Sequence, residues 1–159
     1  MVNLDKRFKT LESFSRKLEK EMGVQEVPLK SVRIGDTLRY TAVYNPENLV
    51  ENYQQVSNEL IQKGFTQSRC TNSFGSGGAY QGINTNWIDS KGHEFEIQLH
   101  TPESFRIKSA NHLIYEDWRR LPESSPEAIA MRQSMIDAWK VDSYIVPENY
   151  FAIASFGEP

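Results

Sequence analysis

Apolar residues recur at helical spacing near the start of the chain, at Leu4, Phe8, Leu11, Phe14, Leu18 and Met22, which predicts an amphipathic helix over residues 3–22 closed by Gly23. After a loop containing Pro28, residues 38–44 read LRYTAVY, a β-branched and aromatic run that predicts a strand. Pro46 and Glu47 open a second helical stretch over residues 46–63, with Leu49, Val50, Tyr53, Val56, Leu60 and Ile61 facing inward and Gly64 as its stop. Residues 65–74 form the next strand. Thr101-Pro102-Glu103-Ser104 combines a threonine cap, a proline at the first helical position and an acid in the first turn, so a third helix starts there. On it His112 reads as a packed helical histidine beside Tyr115 and Glu116. Ser125-Pro126-Glu127 starts a last helix over residues 125–140, and the tail after it holds one or two short extended segments interrupted by Pro147.

The most informative pattern lies between residues 80 and 101, YQGINTNWIDSKGHEFEIQLHT, which alternates as two strands around a short turn. A three-residue loop, Ser90-Lys91-Gly92 with Gly92 left-handed, sets Asp89 against His93, Trp87 against Phe95, Thr85 against Ile97 and Ile83 against Leu99. That face is almost wholly apolar and is expected as core. The other carries Tyr80, Gly82, Asn84 and Asn86 against Glu94, Glu96, Gln98 and His100. A two-residue turn would mix the two faces, so the three-residue loop is preferred. A solvated sheet face is usually rich in Lys, Glu and Thr; amides, Tyr and His are groups that recognise as well as hydrate.

Composition bounds the rest. With 159 residues, 38% hydrophobic and 25% charged, the chain reads as one domain over residues 1–159, large enough for a core without disulfides. One cysteine, Cys70, excludes an intramolecular disulfide and a cysteine-built zinc site, and is expected as a packed or edge thiol. The net charge of -3 argues against broad, sequence-independent nucleic-acid binding. No apolar run approaches the roughly 18 residues of a membrane span, and MVNLDKRFKTL lacks a signal-peptide core, so action in the cytoplasm is expected. Gly75-Ser76-Gly77-Gly78 is a flexible connector before Tyr80 and not a P-loop, because no Gly-Lys-Ser/Thr follows.

The stretch YQGINTNW…GHEFEIQLHTPES resembles the G-loop and catalytic strand of the RelA/SpoT-family (p)ppGpp synthetases, and more closely the small RelA/SpoT-like domains of phage proteins and secreted polymorphic toxins. A second match is Arg7-x-Lys9-x-x-x-Ser13-x-x-x-Lys17, the family's ATP-binding pattern; on a helix Lys9, Ser13 and Lys17 fall on one stripe able to hold a triphosphate. The resemblance implies an α+β fold, a mixed β-sheet flanked by helices, nucleotidyltransferase-like and of the Rel synthetase type. It also implies a Mg²⁺-dependent pyrophosphokinase that uses ATP as donor. Glu96 is then the catalytic glutamate and a metal ligand, and Tyr80 stacks on the acceptor base, with Asn84, Gln98 and His100 at its edge or ribose. Arg39 and Arg69 neutralise phosphate charge, although Arg39 is equally placed for a salt bridge with Asp36.

Three positions depart from the family pattern. Asn72 stands where the family's Arg-x-Lys-Asp motif has a second acidic metal ligand, Asn84 replaces a histidine, and His100 replaces an arginine. The acceptor stays open among GDP or GTP, an adenine nucleotide and the 3′ end of a tRNA. As a phage-borne or secreted toxin domain the chain would have an immunity or antitoxin partner. Two other readings stay open: NAD-dependent ADP-ribosyl transfer, to which a Glu-x-Gln pair on a strand is also suited, and a non-catalytic nucleotide-binding module.

Overall fold

In the computed structural model, residues 38–141 and 144–157 are described. The elements run β1 (Arg39–Val43), a single 3-10 turn at Pro46–Asn48, α1 (Leu49–Gln62), β2 (Thr66–Asn72), β3 (Ile83–Ile88), β4 (Glu94–His100), α2 (Pro102–Trp118), α3 (Pro126–Asp137) and a second 3-10 turn at Tyr150–Ala152. The strands form one sheet in the order β1-β4-β3-β2, with β1 parallel to β4 and the other pairs antiparallel. This is the mixed sheet flanked by helices that the sequence predicts. The predicted helix over residues 3–22, and Asp36, lie outside the described residues.

The β3–β4 hairpin adopts the predicted register, with Trp87 opposite Phe95, Thr85 opposite Ile97 and Ile83 opposite Leu99. Gly92 has φ 85°, where a side chain would be strained, and its N–H donates to Asp89 O at 3.0 Å. The Asp89 carboxylate closes the turn, accepting from Lys91 N and His93 N at 2.8 Å each and pairing with His93 Nδ1 at 2.8 Å.

One face of the sheet is core. Leu49 of α1, Cys70 of β2, Ile83, Trp87, Ile97 and Leu99 form a continuous buried cluster with Phe74 and Ile153. Thr85, the polar member of that row, donates to Ile97 O and accepts from the Trp87 indole, so neither polar group is stranded. Of the apolar residues assigned to the inner face of α1, Ile61 is instead 57% exposed, one residue beyond the last that reaches the sheet. The predicted tail strands reduce, among the described residues, to a single bridge in which Phe156 and Cys70 exchange main-chain hydrogen bonds at the β2 edge.

Thr101 and Ser104 cap α2 reciprocally: Ser104 N donates to Thr101 Oγ1 at 3.1 Å and Thr101 N to Ser104 Oγ at 2.9 Å. Ser125 caps α3 through Ala128 N. The two helices pack through Ile107, Ala128 and Met135, with Asn111 Nδ2 donating to Met135 O. His112 is exposed, not packed as its surroundings in sequence suggest.

Candidate active site

Strand alternation determines which side chains share the second face. From β3 and β4 these are Asn84, Asn86, Glu94, Glu96, Gln98 and His100, in the predicted set. The parallel pairing of β1 adds Arg39 opposite Glu96 and Thr41 opposite Gln98. Glu96, Gln98, Asn86 and His100 are all buried. Burial of so many polar groups on one face requires partners, and those partners define the site.

At its centre Arg39 Nε lies 2.6 Å from Glu96 Oε1, joining neighbouring parallel strands by charge. Glu96 Oε1 is buried and receives no aligned hydrogen bond, so the contact is one of charge and distance, and the oxygen retains capacity for a further cation or proton. Asp36, the salt-bridge partner foreseen for Arg39, lies outside the described residues; within them Arg39 pairs with the glutamate itself. Gln98 Oε1 accepts from Lys108 Nζ of α2 at 2.6 Å. Lys108, a residue the sequence reading did not assign to the site, thus stands with Arg39 and Arg69 as a third cation near this face. Its signal was available: Lys108 falls seven residues after the Thr101 cap, two turns along the helix that leaves β4.

A β-bulge decides the fate of two further predictions. In β2 the register is regular at Gln67 opposite Trp87 and resumes at Arg69 opposite Asn86, leaving Ser68 as the extra residue. The bulge shifts the alternation by one. Arg69 therefore lies on the face of Asn86 and Glu96, while Cys70 and Asn72 lie on the core face, opposite Thr85 and Ile83. Asn72 is not brought to Glu96. Its amide donates to Tyr150 O at 2.8 Å and Ile153 O at 3.0 Å, and its Oδ1 accepts from Phe74 N at 3.2 Å. The expectation of a metal ligand there is corrected: Asn72 anchors the tail, because the bulge turns it away from the site. Arg69 Nε donates to Thr71 Oγ1, its neighbour on the site face.

The expected base contacts are also engaged. Tyr80 Oη donates to Asn84 Oδ1 at 2.6 Å and lies 3.1 Å from His100 Nε2, whose Nδ1 lies 3.0 Å from Ser104 Oγ. The Tyr80 and His100 rings meet edge to face, with centroids 5.5 Å apart. Burial, with Lys108 nearby, pushes the His100 pKa down to about 3, so the ring is neutral. Burial, with the Glu96 charge adding to it, drives the Tyr80 phenol far above its ordinary value.

For a magnesium ion the donor set is small. Among the described residues no group of three or more His, Cys, Asp or Glu converges, and Glu94 is occupied by Ser68 Oγ at 3.3 Å. Glu96 fits as a single buried carboxylate ligand, which is sufficient for an ion that takes its other ligands from substrate phosphates and water. Arg7, Lys9, Ser13 and Lys17, the expected triphosphate grip, lie outside the described residues. Among the described residues no helix is long and apolar enough to cross a membrane.

No protein-family model matches the chain, and no curated protein matches it in sequence. Solved structures do. The chain is similar to the type VI effector Tas1, solved in complex with its immunity protein, at 20% identity and a TM-score of 0.51 over 84% of this chain and 78% of that one. It is similar to small alarmone synthetase 1 from Bacillus subtilis, solved with its product pppGpp, at 17% identity and a TM-score of 0.53 over 86% and 72%. A GTP pyrophosphokinase family protein from Streptococcus pneumoniae aligns at 15% identity and a TM-score of 0.53 over 86% and 69%. The fold is that of the RelA/SpoT-like synthetases.

Proposed function

We propose that the chain is a pyrophosphokinase, transferring the pyrophosphoryl group of ATP to a hydroxyl of a nucleotide or of an RNA 3′ end. The observation that carries the proposal is the buried Glu96 in charge contact with Arg39, on an inner strand of a sheet with this fold. In the step proposed, the acceptor oxygen attacks the β-phosphorus of ATP and AMP leaves. The acceptor's proton passes to the Glu96 carboxylate. Charge builds on the transferring phosphoryl oxygens, so most of the work is positioning and electrostatic stabilisation. Arg39 and Arg69 supply cations on the face where this happens. Arg7, Lys9, Ser13 and Lys17 would grip the triphosphate through charge-assisted hydrogen bonds. A Mg²⁺ ion, held by Glu96 and the nucleotide's own phosphates, would offset their negative charge. Tyr80 offers a ring for the acceptor base. Likeness to an effector solved with its immunity protein supports a toxin role with such a partner.

The test is to incubate the protein with Mg²⁺, ATP and, separately, GDP, GTP, AMP, ADP and deacylated tRNA, and to resolve products by ion-exchange chromatography. AMP release together with a pyrophosphorylated acceptor is the expected result and names the acceptor. Glu96→Gln keeps the size of the side chain but removes its charge and basicity; turnover should fall by at least about a thousandfold with the fold retained. An unchanged rate in that variant removes Glu96 from the chemistry. No turnover with any acceptor rejects the pyrophosphokinase and leaves NAD-dependent transfer or nucleotide binding alone.

A further inference from the structure

Two residues expected to read the acceptor base, Asn84 and His100, are bonded to other parts of the protein. Their contacts run in one line. Ser104 Oγ lies 3.0 Å from His100 Nδ1, His100 Nε2 lies 3.1 Å from Tyr80 Oη, and Tyr80 Oη lies 2.6 Å from Asn84 Oδ1. Proton accounting gives the line a direction. Tyr80 has one hydroxyl proton, and the shortest contact assigns it to Asn84 Oδ1, so Tyr80 Oη must accept from His100 Nε2–H. A neutral imidazole protonated at Nε2 has an acceptor at Nδ1, which takes the Ser104 hydroxyl proton. Ser104 makes that contact at 3.0 Å, shorter than its 3.2 Å approach to Thr101 O. Its oxygen still accepts from Thr101 N in the helix cap. Each donor in the chain is used once.

The backbone is shaped around this line. A Cβ on Gly82 would lie 2.6 Å from His100 Cε1 and 2.8 Å from Tyr80 Oη, so any other residue there would push the two rings apart. His100 itself is fully buried at the end of β4, directly before the cap of α2. Tyr80 belongs to no strand or helix. What orients it is this chain of hydrogen bonds to two rigid elements.

We propose that His100 and Ser104 are positioning residues that hold the Tyr80 ring in its acceptor-binding orientation, connecting the α2 cap to the wall of the site. This rests on the pyrophosphokinase reading, in which Tyr80 meets the acceptor. It assigns His100 and Asn84 an internal role in place of direct contact with substrate. A loop-borne ring held at its hydroxyl loses little further freedom when a base stacks on it, so the arrangement acts on acceptor binding more than on the chemical step.

The experiment is a double-mutant cycle on the full chain with ATP as donor and the acceptor found above. His100→Leu, which removes both ring nitrogens, should raise the acceptor KM at least about tenfold, with kcat at saturation and the ATP KM each within about threefold. His100→Gln, whose amide nitrogen replaces Nε2 as a donor, should recover most of that loss. In a Tyr80→Phe background, which has no phenol to hold, His100→Leu should add less than about twofold. Equal losses in both backgrounds, or losses shared by the ATP KM, overturn the proposal and leave His100 a packing residue. Gly82→Ala, which deletes no polar group, should reproduce the acceptor KM defect in a folded protein. The ¹⁵N shifts of His100 give a readout that needs no turnover: protonation at Nε2, altered by Tyr80→Phe, is expected, and a proton on Nδ1 overturns the line as drawn. An inactive wild-type chain would instead defeat the functional reading, so the two failures are distinguishable.

Discussion

At the scale of single residues, His100 carries a consequence for stability as well as for the site. Its pKa is depressed to about 3 by burial and by Lys108, against an ordinary value of 6.5. The unfolded chain therefore takes up a proton at this residue as pH falls through 6.5, while the folded chain does not. Protonation favours the unfolded state, so stability is full above 6.5 and declines as pH drops toward about 3. Between pH 7 and pH 5 the loss amounts to roughly 1–2 kcal/mol, before most carboxylates titrate. Asp89 acts separately: its pKa is lowered first by hydrogen bonds from His93, so its contribution is lost only below the ordinary carboxylate range. Urea midpoints measured at pH 7 and pH 5 should thus differ in the wild type and nearly coincide in His100→Gln. A slope that survives the substitution would place the titrating group elsewhere. The sequence showed that His100 shares a face with Glu96. It did not show that the ring would be sealed, because that depends on how closely the glycine opposite it on the neighbouring chain segment lets the ring approach, and on the helix cap that follows.

Among elements, the alternation of a strand is reliable until a bulge interrupts it. The β3–β4 hairpin was fully legible, since a glycine-containing three-residue loop and an unbroken period of two leave one register that separates the faces. In β2 the same reasoning fails after Gln67. Nothing in Thr66–Asn72 announces that Ser68 will bulge, and the extra residue sends Arg69 to the site and Asn72 to the core. Asn72→Asp tests the distinction. A carboxylate cannot donate to Tyr150 O and Ile153 O, and would bring a negative charge against two carbonyls. The variant should lose about 2–3 kcal/mol in denaturant melts and gain no turnover. Were Asn72 a degraded metal ligand, restoring the acid would instead raise activity at low Mg²⁺.

For the whole molecule, the sheet separates two tasks. One face is sealed by α1 and by the tail, where Ile153 joins Leu49, Ile83 and Trp87 in the buried cluster. The other holds a polar row whose members satisfy one another and leave Glu96 Oε1 with spare capacity. The first arrangement could be foreseen for α1, whose apolar spacing is helical, but not for the tail. Its contribution comes from a few scattered contacts, a bridge at Phe156, the Asn72 anchor and Ile153 in the core, none of which produces a periodic pattern. The division predicts that stability and activity variants segregate by face. Ile153→Ala removes buried methyl and methylene groups from the core cluster, on the opposite face of the sheet from Glu96, and should cost about 2–4 kcal/mol, with turnover per folded molecule unchanged. Glu96→Gln should abolish turnover; the amide fills the same space, so the stability lost is confined to the partly exposed Arg39 charge contact, about 1–2 kcal/mol. Paired denaturation and activity measurements on these two variants decide the matter. A stable Ile153→Ala protein that no longer turns over would mean that the tail reaches through the sheet to the chemistry, and that the two faces do not act independently.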